Sequence, residues 1–169
     1  MTEEHRLPFK KKRKLEDPPS EKTYDRMPER VDYIELSKRH PSLQPYLKPT
    51  SSGGTTLDYK DGSAVRELNR ALLHVYYDLD IHLPENSLCP TVANRLNYLL
   101  WIKQNIASEI PSKDLVGLDI GTGASCIYPL LGVRVLSGAS FVATDINQES
   151  VDVANENVAK NQMIERITV

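Results

Sequence analysis

The sequence is poor in the features that define disulfide-stabilised, metal-binding and membrane-spanning proteins. Only two cysteines occur among the 169 residues, Cys89 and Cys126, and their separation matches no metal-binding pair. No apolar stretch approaches the roughly 18 residues that a membrane span needs, and none forms the apolar centre of a signal peptide. These absences favour a protein of a reducing compartment with no membrane partner and no metal.

Net charge is also low, since 21 Lys and Arg residues nearly balance 23 Asp and Glu residues to give a formal charge of −2. The overall charge gives no sign of a nucleic-acid partner. The distribution of the charges along the chain does give one. Lys10, Lys11, Lys12, Arg13 and Lys14 form an uninterrupted basic block. Such a block is typical of segments that a nuclear import receptor recognises or that contact RNA phosphates, and a solvated charged tail is the alternative.

Composition divides the chain into three parts. Residues 1–27 are charged and interrupted by prolines, which predicts a disordered basic tail. Residues 28–110 carry apolar side chains at helical spacing, which predicts a small helical region. Within it we predict a loop at residues 48–56 and a helix with Ser63 as its N-cap. Residues 111–169 follow a different pattern.

From residue 111 onward, strand and helix patterns alternate. Strands are predicted at residues 116–120 and 141–145, helices at 124–136 and 147–161, and a third strand begins near Glu165. Strands joined through helices must be parallel, so the fold class is α/β, the first half of a Rossmann-like sheet preceded by a small helical region.

We expect the first strand, residues 116–120, to be buried. Three strands leave one of its edges unpaired, which is a liability unless the edge is covered. The pattern therefore predicts a partial domain. The alternative is a small domain in which the amino-terminal helices cover that edge.

The bend after the first strand carries the strongest functional signal. An apolar run reaches Asp119, turns through Gly121 and Gly123, and enters a helix. The glycines permit a tight turn and a close approach of a ligand, and the helix start presents unpaired N–H groups. Asp145 ends the next strand 24 positions after Gly121, near the offset of about 20 at which a carboxylate reaches ribose hydroxyls.

Two cofactor classes use this geometry, and a tight turn without a cofactor is the third possibility. The dinucleotide pattern Gly-x-Gly-x-x-Gly/Ala requires a small third residue, and Cys126 stands there instead. The form Asp-x-Gly-x-Gly, with the acid two residues before the first glycine, is the pattern of methyltransferases that use S-adenosyl-L-methionine (SAM). The sequence therefore favours SAM.

Three blocks extend this signal, and they lie at residues 57–66, 89–101 and 117–132. The second contains Pro-Thr-x-x-x-Arg-Leu-Asn-Tyr, and the third contains Gly-Thr-Gly-Ala-Ser-Cys-Ile-Tyr-Pro-Leu-Leu-Gly. In these blocks the chain resembles the eukaryotic U6 small nuclear RNA adenine-N6 methyltransferases, relatives of the bacterial large-subunit ribosomal RNA adenine-N6 methyltransferases. The resemblance runs from about Met27 to Val169.

This resemblance implies methylation of an adenosine N6 amine in a structured RNA, such as a U6-like hairpin, in the nucleus. It implies that the helical region at residues 28–110 binds RNA and covers the cofactor. It also implies a role for particular residues. Arg95 would hold the methionine carboxylate of SAM, for which a guanidinium offers a bidentate fork. Gly121, Gly123 and Ser125 would line the cofactor, and Asp145 would bind its ribose hydroxyls.

One motif of the family is missing. Asn-Pro-Pro-Phe, which holds the target amine and stacks the adenine, occurs nowhere in the 169 residues. We therefore assign no catalytic residue and expect weak or absent catalysis by this chain alone. A SAM-dependent methyltransferase of ribosomal RNA or protein, and a non-catalytic RNA-binding fragment, remain alternatives because fold alone does not choose a substrate.

Overall fold

The computed structural model describes residues 24–111 and 114–169, so the basic block at residues 10–14 lies outside the described residues. The elements are, in chain order, α1 (Tyr33–Arg39), a 3₁₀ turn (Pro41–Tyr46), β1 (Leu47–Pro49), β2 (Thr55–Leu57), α2 (Gly62–Tyr77), α3 (Val92–Asn105), a second 3₁₀ turn (Ala107–Glu109), β3 (Val116–Ile120), α4 (Ile127–Val135), β4 (Ser140–Thr144), α5 (Gln148–Lys160) and β5 (Ile167–Thr168). In the part of the chain so described, every helix is too short or too polar to cross a bilayer.

Local chemistry corrects two predictions in the amino-terminal half. Asp61 caps α2, and its carboxylate accepts hydrogen bonds from the N–H groups of Ser63 and Ala64. The prediction of Ser63 as the N-cap was wrong because an acid two positions earlier satisfies these helix-end donors and also favours the positive end of the helix dipole. The predicted loop at residues 48–56 is partly a hairpin, since β1 and β2 pair antiparallel.

Strands β3, β4 and β5 form a parallel sheet in that order, with Gly117 paired to Phe141 and Phe141 to Ile167. Phe141 is 8% exposed and fills the space between the sheet and α4. A Cβ atom would come within 2.4 Å of its ring at Gly117 and within 2.2 Å at Gly132. The missing side chains of these two glycines therefore make room for the phenyl ring.

The opposite face of the sheet is open. Val116, Leu118 and Ile120 of β3 are 63%, 64% and 79% exposed, and Val142 of β4 is exposed beside them. The prediction of a buried first strand was therefore wrong. Right-handed crossovers place α4 and α5 on the same face, and within the described residues no strand pairs with the free edge of β3.

The helical region and the sheet share a hydrophobic core. Tyr77 of α2, Leu96 and Leu99 of α3, and Leu130 of α4 are all at most 1% exposed and belong to one cluster with the side chains of β4 and α5. A second cluster lies between α2 and the elements before it, and it includes Leu36 of α1, Leu57 of β2 and residues of α2 from Ala64 to Val75. Helix α2 thus contributes to both clusters. The division at residue 110 remains a prediction.

Candidate functional site

Residues 121–125, called the bend below, connect β3 to α4. The carbonyl oxygen of Thr144 accepts hydrogen bonds from the N–H groups of Gly121 at 2.8 Å and Thr122 at 2.9 Å, which ties the bend to the end of β4. Gly121 and Gly123 have φ angles of +77° and +64°, a region that disfavours any residue with a Cβ. No atom lies within 4 Å of a Cβ built at either glycine, so the space above the bend is open.

Asp145 holds the bend from the next strand. Its Oδ2 atom accepts a hydrogen bond from the Gly123 N–H at 2.8 Å, and its Oδ1 atom accepts one from the Asn147 N–H at 3.0 Å. Because hydrogen bonds to the charged form favour it, these backbone donors lower the pKa of Asp145 below its ordinary value of 3.8. Each carboxylate oxygen keeps a further lone pair, so both can still accept ligand hydroxyls.

Acid should release this contact. We expect the Gly123 amide chemical shift to titrate with Asp145, at a pH below 3.8. Since the folded pKa is lowered, the stabilisation is complete above the unfolded pKa and is lost as pH falls through the folded one. The Ser150 amide, which donates to the neutral Asn147 side chain, is the internal control. A Gly123 titration at or above pH 3.8, or its persistence in Asp145→Asn, would contradict this assignment.

A cleft of about 400 Å³ opens above the bend. Gly121, Gly123, Ser125 and Arg95 all line it, so the structure brings four of the five predicted cofactor residues together. Asp145 is connected to the same site through its hydrogen bond to Gly123. The remaining walls come from the start of α4, from Ser150 of α5, and from the segment between α2 and α3.

Arg95 reaches the cleft from the first turns of α3. Its guanidinium carbon lies 5.6 Å from the centre of the Tyr128 ring, a cation–π distance. Tyr128 in turn meets the Tyr98 ring edge to face, with centroids 5.6 Å apart. Among the described residues no carboxylate forms an ion pair with Arg95. Its fork of N–H donors is therefore held in place by aromatic packing and can bind an anionic ligand group.

Two side chains next to the bend, Asp119 and Cys126, differ in their capacity to interact with a ligand. The Oδ2 atom of Asp119 is buried and has no hydrogen-bond partner, an arrangement that costs free energy unless a ligand supplies a donor. Cys126 is fully buried at the start of α4, and burial raises the pKa of its thiol to about 11. The thiol therefore stays protonated and is no nucleophile. Across residues 24–111 and 114–169, no group of three or more acidic, His or Cys side chains could hold a metal ion.

Sequence reasoning placed a connecting segment between Pro84 and Pro90 but did not predict that the residues between α2 and α3 line the site; we call residues 79–90 the connector. It supplies Asn86, Ser87 and Pro90 to the cleft although it contains neither helix nor strand. It also missed Asn157, a fully buried side chain of α5. The available signal was its position, because helical spacing places this asparagine on the same apolar stripe as Ala154 and Val158.

Comparison with known proteins identifies the family to which this chain belongs. A family model described as RNA methyltransferase matches residues 18–169. The chain belongs to this RNA methyltransferase family. Among curated relatives, the U6 small nuclear RNA (adenine-(43)-N(6))-methyltransferase of Caenorhabditis briggsae is 41% identical over 138 residues. That alignment covers 82% of this chain but only 28% of the relative, so the chain spans less than a third of its length.

Solved RNA methyltransferases of the family have the same fold. The N-terminal domain of human METTL16 in complex with SAH matches with a TM-score of 0.77 and 37% identity, over 83% of this chain and 55% of that one. The human METTL16 catalytic domain in complex with a MAT2A 3'UTR hairpin matches with a TM-score of 0.76 and 37% identity, over 83% and 49%. The predicted fold class, a partial Rossmann-like α/β methyltransferase domain, is confirmed.

Proposed function

We propose that this chain binds SAM in the cleft above the bend, and that the whole protein transfers the methyl group of SAM to an adenosine N6 amine in a structured RNA such as U6 small nuclear RNA. The observation that carries the proposal is the convergence of Arg95 and the two positive-φ glycines on one cleft, with Asp145 bonded to the second glycine, in a chain of the RNA methyltransferase family. The RNA complexes of its relatives support the substrate class.

The chemistry of the cleft matches the two ends of this cofactor. Arg95 is the group for the methionine carboxylate, and the Asp119 carboxylate, whose Oδ2 atom has no partner, suits the neighbouring ammonium. Asp145 is the acceptor for the ribose hydroxyls, beside a bend that is open to close approach. When bound, SAM supplies a methyl group on a sulfonium sulfur. The volume of about 400 Å³ is within the usual range of cofactor sites.

The partners of the whole protein follow from this assignment. A nuclear RNA substrate accords with a basic block, residues 10–14, that an import receptor can recognise. The same block supplies cations for RNA phosphates, and binding that depends on them should fall steeply with salt. We therefore propose a nuclear location, with a U6-like hairpin and an import receptor as partners.

The cofactor assignment is tested by calorimetry with S-adenosylhomocysteine (SAH), the demethylated product of SAM. We expect the 169-residue chain to bind SAH, and Arg95→Ala to raise the dissociation constant roughly tenfold to hundredfold because a charge-assisted hydrogen bond is lost. Arg95→Lys should restore part of the affinity, since an ammonium keeps the charge but not the fork.

Lys103→Ala is the matched control for this experiment. Lys103 is a cation on the same helix, but it pairs with Asp25 at 2.6 Å and does not line the cleft. Its replacement should leave SAH affinity unchanged. Wild-type protein that is folded yet shows no heat with millimolar SAH would refute the proposal, and equal affinities of wild type and Arg95→Ala would refute the role of Arg95.

A further inference from the structure

The connector forms one wall of the cleft, yet it has no helix or strand to keep it in place. Side chains of α2 and of the α5 segment hold the connector backbone instead. From α2, Arg66 donates to the carbonyl oxygens of Glu85 and Ser87, and Arg70 donates to that of Ile81. Asn157 of α5 and its C-cap residue Asn161 accept hydrogen bonds from backbone N–H groups of earlier connector residues. The position of this wall is thus set by side chains remote from the cleft.

Among these residues, Asn157 contacts both the connector and the bend. It is 0% exposed, and its Oδ1 atom accepts a hydrogen bond from the His82 N–H at 2.6 Å. Its Nδ2 atom donates to the carbonyl oxygens of His82 at 3.0 Å and Ala124 at 2.9 Å. Both amide hydrogens are therefore used, one on the connector and one on the bend.

We propose that Asn157 is a positioning residue of the cofactor site, which holds the connector wall at a set distance from the bend. Ala124 and Ser87 both line the cleft, and Asn157 bonds directly to the first and to the segment that carries the second. Within the described part of the chain, no other side-chain hydrogen bond joins the bend to the connector across α5. This inference rests on the proposed SAM-binding function.

Asn161 provides a matched control one helical turn later. Its Oδ1 atom accepts from the Asp80 N–H at 2.9 Å, and its Nδ2 atom donates to the Asp80 carbonyl at 2.8 Å and to that of Asn157 at 2.8 Å. It thus makes the same kind of clamp on the same connector but no bond to the bend. Removal of its side chain measures the cost of loosening the connector alone.

The experiment compares Asn157→Ala with Asn161→Ala in the full 169-residue chain, by SAH calorimetry at a temperature where both are folded. We expect Asn157→Ala to raise the SAH dissociation constant about tenfold or more, the equivalent of one net hydrogen bond. Asn161→Ala should change it by less than about twofold, even if both variants melt at lower temperature. Equal changes in the two variants, or an unchanged constant in Asn157→Ala, would overturn the inference.

Hydrogen exchange without ligand separates this inference from the proposed function. In Asn157→Ala, the amides of Thr122 and Gly123 in the bend should exchange faster than in wild type, and in Asn161→Ala they should not. Failure of the wild type to bind SAH would defeat the proposed function, whereas unchanged exchange of these amides would defeat the positioning role. If Asn157→Ala does not fold, rapid exchange of the His82 amide in the wild type would overturn the inference, and slow exchange would support it.

Discussion

Replacement of Gly132 by alanine should lower the free energy of unfolding by about 1–3 kcal/mol, the usual cost of overpacking a filled core. A Cβ atom at this position would lie 2.2 Å from the Cζ atom of Phe141, whose ring is buried between α4 and the sheet. The sign is diagnostic, because the same substitution inside an exposed helix normally stabilises by roughly 1 kcal/mol. Urea denaturation measures the difference.

Gly62→Ala is the control for this prediction. Gly62 begins α2, and no atom lies within 4 Å of a Cβ built there, so alanine should be neutral or slightly stabilising. The double variant Gly132→Ala with Phe141→Leu should recover part of the loss, because a smaller side chain at residue 141 makes room for the added methyl group. If Gly132→Ala proved as stable as wild type, α4 and β4 would not pack as closely as described.

The 169-residue chain alone should bind SAH yet transfer no measurable methyl group to RNA. Its described residues form the cleft proposed to bind the cofactor, but the 169 residues contain no Asn-Pro-Pro-Phe tetrapeptide, the motif expected to hold and align the target amine. Alignment of the reacting atoms supplies a large part of the rate of such reactions, so loss of the aligning group should lower turnover by several orders of magnitude. Transfer of labelled methyl groups from SAM to a U6-like hairpin measures the rate.

A longer relative's catalytic domain is the positive control for that assay. SAH calorimetry on the same sample of the chain shows whether its cleft is intact, so that lack of turnover cannot be confused with lack of folding. Turnover by the 169-residue chain comparable to that of the longer domain would disprove the prediction. It would also mean that another residue of this chain aligns the amine.

Periodicity predicted the carboxyl-terminal elements because their patterns are local. Strand β3 was predicted with its observed bounds, and α5 lies within its predicted range with Asn147 as its N-cap. Helix α4 begins at Ile127, three residues later than predicted, because Cys126 takes a left-handed conformation at its N-cap. Helix starts depend on which nearby donor or acceptor is satisfied, and apolar spacing does not report that.

Burial was harder to predict because it depends on neighbours distant in sequence. The apolar run of β3 is typical of a strand covered on both faces, but α4 packs on one face and the apolar side chains on the other are exposed. No role was predicted for Asn157 from the sequence, because its partners in the connector and the bend, His82 and Ala124, are distant in sequence.

The conformation of the bend can be predicted from the order of residues along the chain, because a strand, an acid and two glycines specify it within a few residues. The apposition of Arg95 with that bend, and the connector wall clamped by α5, arise from packing between segments more than 25 residues apart. Such contacts depend on which surfaces exclude water together. No local pattern encodes that choice, and for that reason the walls of the cleft became visible only in the folded molecule.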